Sequence, residues 1–440
     1  MDCLLINAIV YIVTYIYLLY KHNGVTIANT VFCAFTILAI LGYVTTKMGI
    51  QLVGDVRFGE KASAIPYLCL YVTVLLIISP FRVIRKRSED FGVLKTKKMS
   101  NFIIFSFFVF FIVTLLKLYE LRLILNMGFA EAYAARHFDG GNLITMPNPI
   151  LEFLCRKGMS YVSVVFPIAV YYSIYRLKQS RSYMGYILNV FFLFLSFVPN
   201  ILDCLTIGSK GMLFFLGFDF VFYYLFFRAS IPSKAKYCIK LIGISFGVVF
   251  VTYAFVIQTE RNDYDKSDKL ASEVMLRYLG EAMPNLGALY NDTKVHPYGE
   301  RFFPYLMGGK IFDNGDENAY YWTMITKARI LNFKTIWGDS YIEFGFLGSF
   351  LFIIIIVSVY KRFVFRYYPD VCVFPLIYYY FNKVCIYGLF DVRFVDARAL
   401  QLTFYYIIFA LLLKYYLLNT NGNKKNYRFT STSVLSFSRK

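Results

Sequence analysis

Ionisable residues are scarce in this chain. Only 17% of its 440 residues are Asp, Glu, Lys or Arg, and it has three histidines. His22, His137 and His296 do not pair at ligand spacing, so no metal site and no cofactor are expected. All three fall in connectors by pattern, where a solvated side chain is the expectation. Eight cysteines lie mostly in or beside apolar runs with no CxxC pair, which argues against zinc and against a disulfide framework. A GxxxxGK[ST] loop is missing too, because Gly208-Ser-Lys-Gly211 lacks its spacing, and no nucleotide site is expected. Met1-Asp2-Cys3 carries no basic leader and no small-residue cleavage site follows, so a cleaved signal is not expected. Before Gln258 there is also no long polar stretch.

What fills the chain is apolar. It is 58% hydrophobic and 20% aromatic, with a mean hydropathy of +0.54. About eleven runs approach the ~20 residues that cross a ~30 Å hydrocarbon layer as helix. They are Leu4–Tyr20, Val25–Thr45, Ala64–Phe81, Asn101–Tyr119, Ile150–Tyr175, Tyr183–Leu202, Met212–Phe227, Ile239–Ile257, Tyr341–Tyr360, Val371–Leu389 and Ala399–Leu418. The expected fold is an all-α polytopic transmembrane helix bundle. Residues 1–257 and 339–418 supply the bundle, 258–338 form one large external loop, and 419–440 form a polar, disordered cytoplasmic tail.

The formal net charge of +19 would suit nucleic acid. Its Lys and Arg, however, sit in short clusters between apolar runs, as in cytoplasmic connectors. Arg82 to Lys98, Arg176 to Arg181, Arg228 to Lys240, Lys361 to Arg366 and Lys424 to Lys440 all fall on one side if the runs alternate. That side is read as cytoplasmic, with the amino terminus outside and the carboxyl terminus inside.

Within 258–338, Asp268–Gly280 reads as a short amphipathic helix, with Asp268 as N-cap and Gly280 as its stop, lying on the bundle's outer face. The stretch beyond, with Pro284, Asn285, Gly287, Pro297, Gly299, Pro304, Gly308 and Gly309, reads as ordered loop with little regular structure.

Arginines near the expected outer surface are the first candidates for chemistry. Arg136 lies in the external segment 120–149, Arg261 follows the eighth run, and Arg277 lies one short helix later. A guanidinium is a permanently charged planar fork suited to phosphate, although ordinary salt bridges with Glu260, Asp263 and Asp265 are the alternative. Asp203, Lys210, Lys117 and Arg122 end apolar runs on the same side, and Asp391, Arg393, Asp396 and Arg398 form a short charged series there. Asp219 sits well inside a run, where an ionised side chain is costly and faces a polar cavity or a partner.

Four stretches resemble the oligosaccharide repeat unit polymerases, the O-antigen polymerase (Wzy) family. They are Thr206-Ile-Gly-Ser-Lys210-Gly211, where the family more often shows Ser-Arg; Arg261 beside its span; Arg277-Tyr278-Leu-Gly280-Glu281-Ala-Met-Pro284-Asn285; and Gly338-Asp339-Ser-Tyr341-Ile-Glu343-Phe-Gly345-Phe-Leu-Gly348. The resemblance covers most of the chain in layout, through short and degenerate motifs. It implies a GT-C-like, multi-pass enzyme of the bacterial cytoplasmic (inner) membrane. Such enzymes join undecaprenyl-diphosphate-linked oligosaccharides at the outer face, one hydroxyl attacking the anomeric carbon of another chain as lipid diphosphate leaves. The expected partners are the lipid-linked donor and acceptor, the bilayer and a chain-length regulator, with no nucleic acid.

On this reading Arg261 and Arg277 stabilise the diphosphate, supported by Arg136 and Lys210. Tyr278, Asn285, Asp339 and Tyr341 contact substrate, and the base is sought among Glu281, Asp339 and Glu343. Helix capping is the competing role for Glu343. A ligase of similar architecture is the nearest alternative, and a flippase of lipid-linked oligosaccharide is the non-enzymatic one. An acyltransferase would need a histidine within the bilayer, where the pattern puts none.

Overall fold

In a computed structural model the described residues are 2–50, 63–86, 97–128, 148–180, 182–207, 210–228, 231, 233–264, 270–310, 315–328, 330, 333–368, 370–392 and 397–418. Among them the chain is all-helical, 87% helix without strands. The helices are α1 (Cys3–His22), α2 (Ile27–Lys47), α3 (Ile65–Ile78), α4 (Arg82–Lys86), α5 (Lys97–Met127), α6 (Pro149–Gln179), α7 (Tyr183–Ile207), α8 (Lys210–Phe227), α9 (Ser233–Tyr264), α10 (Ala271–Gly280), α11 (Ala282–Asp292), α12 (Pro304–Met307), α13 (Gly315–Thr326), α14 (Thr335–Phe363), α15 (Phe374–Tyr379) and α16 (Ala397–Leu412).

Among the described residues, eight helices are long and apolar enough to cross a membrane. The eleven expected runs all lie on helical structure, but three fall outside those eight. The apolar part of α8 is short, Phe214–Phe227. The segment at 371–389 is continuous but not uniformly α-helical. It runs through a 3₁₀ turn (Val371–Val373), α15, a π-helical stretch (Tyr380–Ile386) and a second 3₁₀ turn (Tyr387–Leu389). The third is the Ile239–Ile257 run within α9.

Local chemistry explains the first helical hairpin. Asp2 caps α1 by accepting from the Leu4 amide at 3.0 Å, and Asn23 ends it in the left-handed region at φ 48°. Thr26 then caps α2 through the Asn29 amide at 3.2 Å. Asp2 also pairs with Lys47 at 3.1 Å, which ties the start of α1 to the end of α2. The core is strongly aromatic, with Phe222, Tyr223, Phe226 and Phe227 of α8 packed on Phe374, Tyr378 and Phe381.

Several segments near helix ends meet. Arg228 donates to the Val25 carbonyl at 2.9 Å, Tyr172 to Ser100 at 3.3 Å, and Lys98 lies 4.5 Å from the Tyr416 ring centre. At the other end Lys117 pairs with Asp203 at 2.6 Å and the Lys334 amide donates to the Phe390 carbonyl at 2.6 Å.

Residues 258–338 contain more helix than their composition suggests. α9 continues to Tyr264, so Arg261 lies within a helix. α10 starts at Ala271 after Leu270, which makes no side-chain cap, while Asp268 lies outside the described residues. α11 occupies the stretch expected to be loop, because Pro284 falls in its first turn, where a missing N–H breaks no helical bond. α10 packs on α2 where a Cβ at Gly280 would lie 2.7 Å from the Leu41 carbonyl, and one at Gly42 would lie 2.7 Å from Met283 Cβ. Two glycines thus bring the backbones of these helices into contact. Arg136, His137 and the tail 419–440 lie outside the described residues.

Candidate functional site

Two buried polar clusters occupy the end of the bundle that carries residues 258–338. The first is built on α14. Asp339 and Glu343, four residues apart, share one helix face and are both buried. Between them lies Arg301, delivered by the turn after Pro297. Its Nη2 donates to Asp339 Oδ1 at 2.8 Å and its Nε to Glu343 Oε2 at 2.9 Å. Glu343 Oε1 accepts from the Gly299 and Arg301 amides at 2.7 and 3.2 Å, and Asp339 Oδ2 from the Val392 amide at 2.9 Å. Lys334 Nζ stands 3.8 Å from Asp339 and donates to the Ile330 carbonyl. Burial alone would lower the Arg301 pKa, but Asp339 and Glu343 outweigh it and hold that pKa above the usual arginine value. Every oxygen of the two carboxylates is engaged.

The same loop mends a break in α14. Gly345 adopts φ 68° and ψ −171°, where a side chain would be strained and would press on the His296 ring at 3.3 Å. The freed carbonyls find new donors: Ile342 accepts from His296 Nδ1 at 3.0 Å and Glu343 from the Tyr298 amide at 2.8 Å. A carbonyl only accepts, so Nδ1 carries the proton. His296 is therefore a half-buried structural residue that also packs on Tyr341, contrary to the solvated side chain expected. His22 likewise bonds Asn29 Oδ1 at 2.7 Å.

The second cluster lines a cavity of about 130 Å³ between α6, α7, α8, the π-helical stretch and α16. Asn200, Asp203, Asp219, Asn382, Lys383 and Tyr387 give it its polar wall. Asp219 accepts from Tyr378 Oη at 2.8 Å and Asn382 Nδ2 at 2.7 Å, so it faces both a cavity and partners, as its position in an apolar run implies. A carboxylate has about four acceptor sites, and two remain for a ligand. Asn200 Nδ2 is buried there without a hydrogen-bond partner. Asp203 is held by Lys117, which also pairs with Glu120 at 2.7 Å. The π-helical stretch sets Asn382 and Lys383 on the cavity wall, in keeping with the frequent siting of such turns at functional positions.

The residues marked in the sequence separate into groups. Tyr278 packs edge-on to Phe333 at 4.8 Å and lies 6.3 Å from Phe390, while Asn285 Nδ2 reaches the Phe333 carbonyl at 3.5 Å. Through Phe390 and Val392 these two adjoin Asp339. Tyr341 stacks on Trp337 at 5.2 Å beside Tyr290. Arg277 is half-exposed on α10, and Glu281 is buried at the α10–α11 junction. The side chains of Lys210 and Arg261 lie outside the described ones, although their helices are placed at this end.

Sequence reasoning missed Arg301 and Lys334 in the first cluster and Tyr378, Asn382 and Lys383 in the second. Two carboxylates at i, i+4 at the head of an apolar run signal a buried cation partner. Lys383, like Asp219, is an ionisable residue inside an apolar run. Among the described residues His, Cys, Asp and Glu nowhere gather in threes able to hold a metal ion. No family model matches the chain, and neither a curated protein nor a solved structure does.

Proposed function

We propose that this chain is a glycosyltransferase of the bacterial cytoplasmic membrane that polymerises undecaprenyl-diphosphate-linked oligosaccharide units at the outer face. The observation that carries the reading is the polar cavity inside an otherwise apolar bundle, at the end bearing the insertion. An aromatic path joins the two: Tyr278 to Phe390 at 6.3 Å, Phe390 to Phe215 at 5.8 Å, and Phe215 stacked on Tyr387 at 3.8 Å. Aromatic faces and amide or carboxylate groups together suit a sugar, and apolar helices around them suit a lipid tail.

In this scheme the acceptor hydroxyl bonds to Asp219, which takes its proton as the oxygen attacks the anomeric carbon. The bond from that carbon to the diphosphate oxygen breaks, and its electron pair leaves with the lipid diphosphate. Arg261, Arg277 and Lys210, with Arg136, neutralise the leaving group, as cations positioned at developing charge do. Asp339 and Glu343 act as positioning residues, because carboxylates paired with the buried Arg301 guanidinium make poor bases. No nucleotide is needed, since the donor's phosphate ester supplies the driving force.

One observation favours a second reading. Asp219, an ionisable residue within the bundle that faces a cavity, is the kind of feature that also marks transport pathways. A flippase of lipid-linked oligosaccharide would use the same cavity for passage. Purified protein in liposomes, given only lipid-linked units, separates the two. Laddered products that vanish in Arg261→Ala support the polymerase, whereas accelerated transbilayer movement without elongation supports the flippase.

A further inference from the structure

The opposite end of the bundle holds a larger cavity, about 550 Å³. Lys21, His22, Arg82 and Arg228 stand around it, Phe81 and Phe226 are among its apolar walls, and no Asp or Glu is among the described residues that line it. Its frame is preformed. Asn29 Nδ2 donates to the Gly24 carbonyl at 2.9 Å and its Oδ1 accepts from His22 Nδ1, while Arg228 Nη1 clamps the Val25 carbonyl at 2.9 Å. The first turn of α2, Ile27 and Ala28, also borders the cavity and adds the positive end of a helix dipole.

Cations from three separate helix ends converge here, above apolar walls, with no counter-ion among the described residues that line the cavity. We infer that the cavity holds the phosphate of an anionic phospholipid, with its acyl chains against Phe81 and Phe226. A free phosphate shares the headgroup chemistry but gains nothing from the apolar walls, which is why the lipid is favoured. Basic pockets between helices at a membrane surface bind such headgroups. The inference does not depend on the glycan reading.

Delipidated protein in nonionic detergent, observed by native mass spectrometry, tests it with phosphatidylglycerol and phosphatidylcholine of equal chain length. The wild type should retain the anionic lipid in preference to the neutral one, and millimolar inorganic phosphate should not displace it. Lys21→Gln combined with Arg82→Gln should cut the preference roughly tenfold or more, and Lys361→Gln, at the same end but off the cavity wall, should leave it intact. If the double variant does not fold, Lys21→Gln alone should cost roughly fivefold. Equal retention of both lipids, or an unchanged preference in the cavity variants, overturns the inference. Displacement by inorganic phosphate also overturns it, and gives the cavity to a soluble anion.

Discussion

The two carboxylate clusters at the insertion-bearing end differ in one respect that matters for function. Asp339 and Glu343 share a buried cation: Arg301 pairs with both, at 2.8 and 2.9 Å, and three backbone amides add further hydrogen bonds. Asp219 accepts from one hydroxyl and one amide and borders a cavity. A buried charge neutralised by a cation of its own chain holds structure. One that keeps acceptor capacity next to open space can meet a ligand.

Substitutions break or sharpen that contrast. The largest effect is expected at Arg301→Met, which strands two buried carboxylates. A loss of about 3–5 kcal/mol should appear as a sharp fall in thermal midpoint and in monodisperse yield. A variant that folds normally yet is inactive would instead place Arg301 in the chemistry. Asp219→Asn should show the reverse pattern, with product formation in liposomes down by ~10²–10⁴ and a thermal midpoint close to wild type. If the midpoint falls as far as for Arg301→Met, the two clusters do not differ in kind.

Gly280→Ala tests the seat of the insertion, where the new methyl meets the Leu41 carbonyl. About 1–3 kcal/mol of overpacking should lower the midpoint, and a silent result would mean that α10 can move off α2. The exposed Glu152–Arg156 pair on α6 supplies the bottom of the scale. Arg156→Ala should cost no more than about 1 kcal/mol in chemical denaturation, and a larger loss would discredit the ranking by burial.

The helical, membrane-crossing nature of the chain was plain in its apolar runs. Asp219 stood out because a charge inside an apolar run demands an explanation. Its partners did not, since Tyr378 and Asn382 become neighbours only when a segment 159 to 163 residues distant folds back. Arg301 was hidden for a different reason: it lies in a Gly- and Pro-rich stretch without periodicity, and only the facing pair on α14 could have called for it. α11 was misread because proline and glycine suggest loops, yet proline in a first helical turn obstructs nothing. The stretch from Gly338 to Gly348 carries the resemblance in its residue types. Its physical content is a hinge-like interruption at Gly345 with Glu343 fastened beside it.

The backbone contact between Gly42 and α10–α11 has a consequence for biogenesis. α2 is made more than two hundred residues before Gly280 leaves the ribosome, so the insertion docks onto a surface that has waited unclaimed through most of translation. A fragment starting at Ser63 would make every residue of the insertion but not its mooring. Coexpressing residues 1–62 as a separate piece should then restore what the truncated partner lacks.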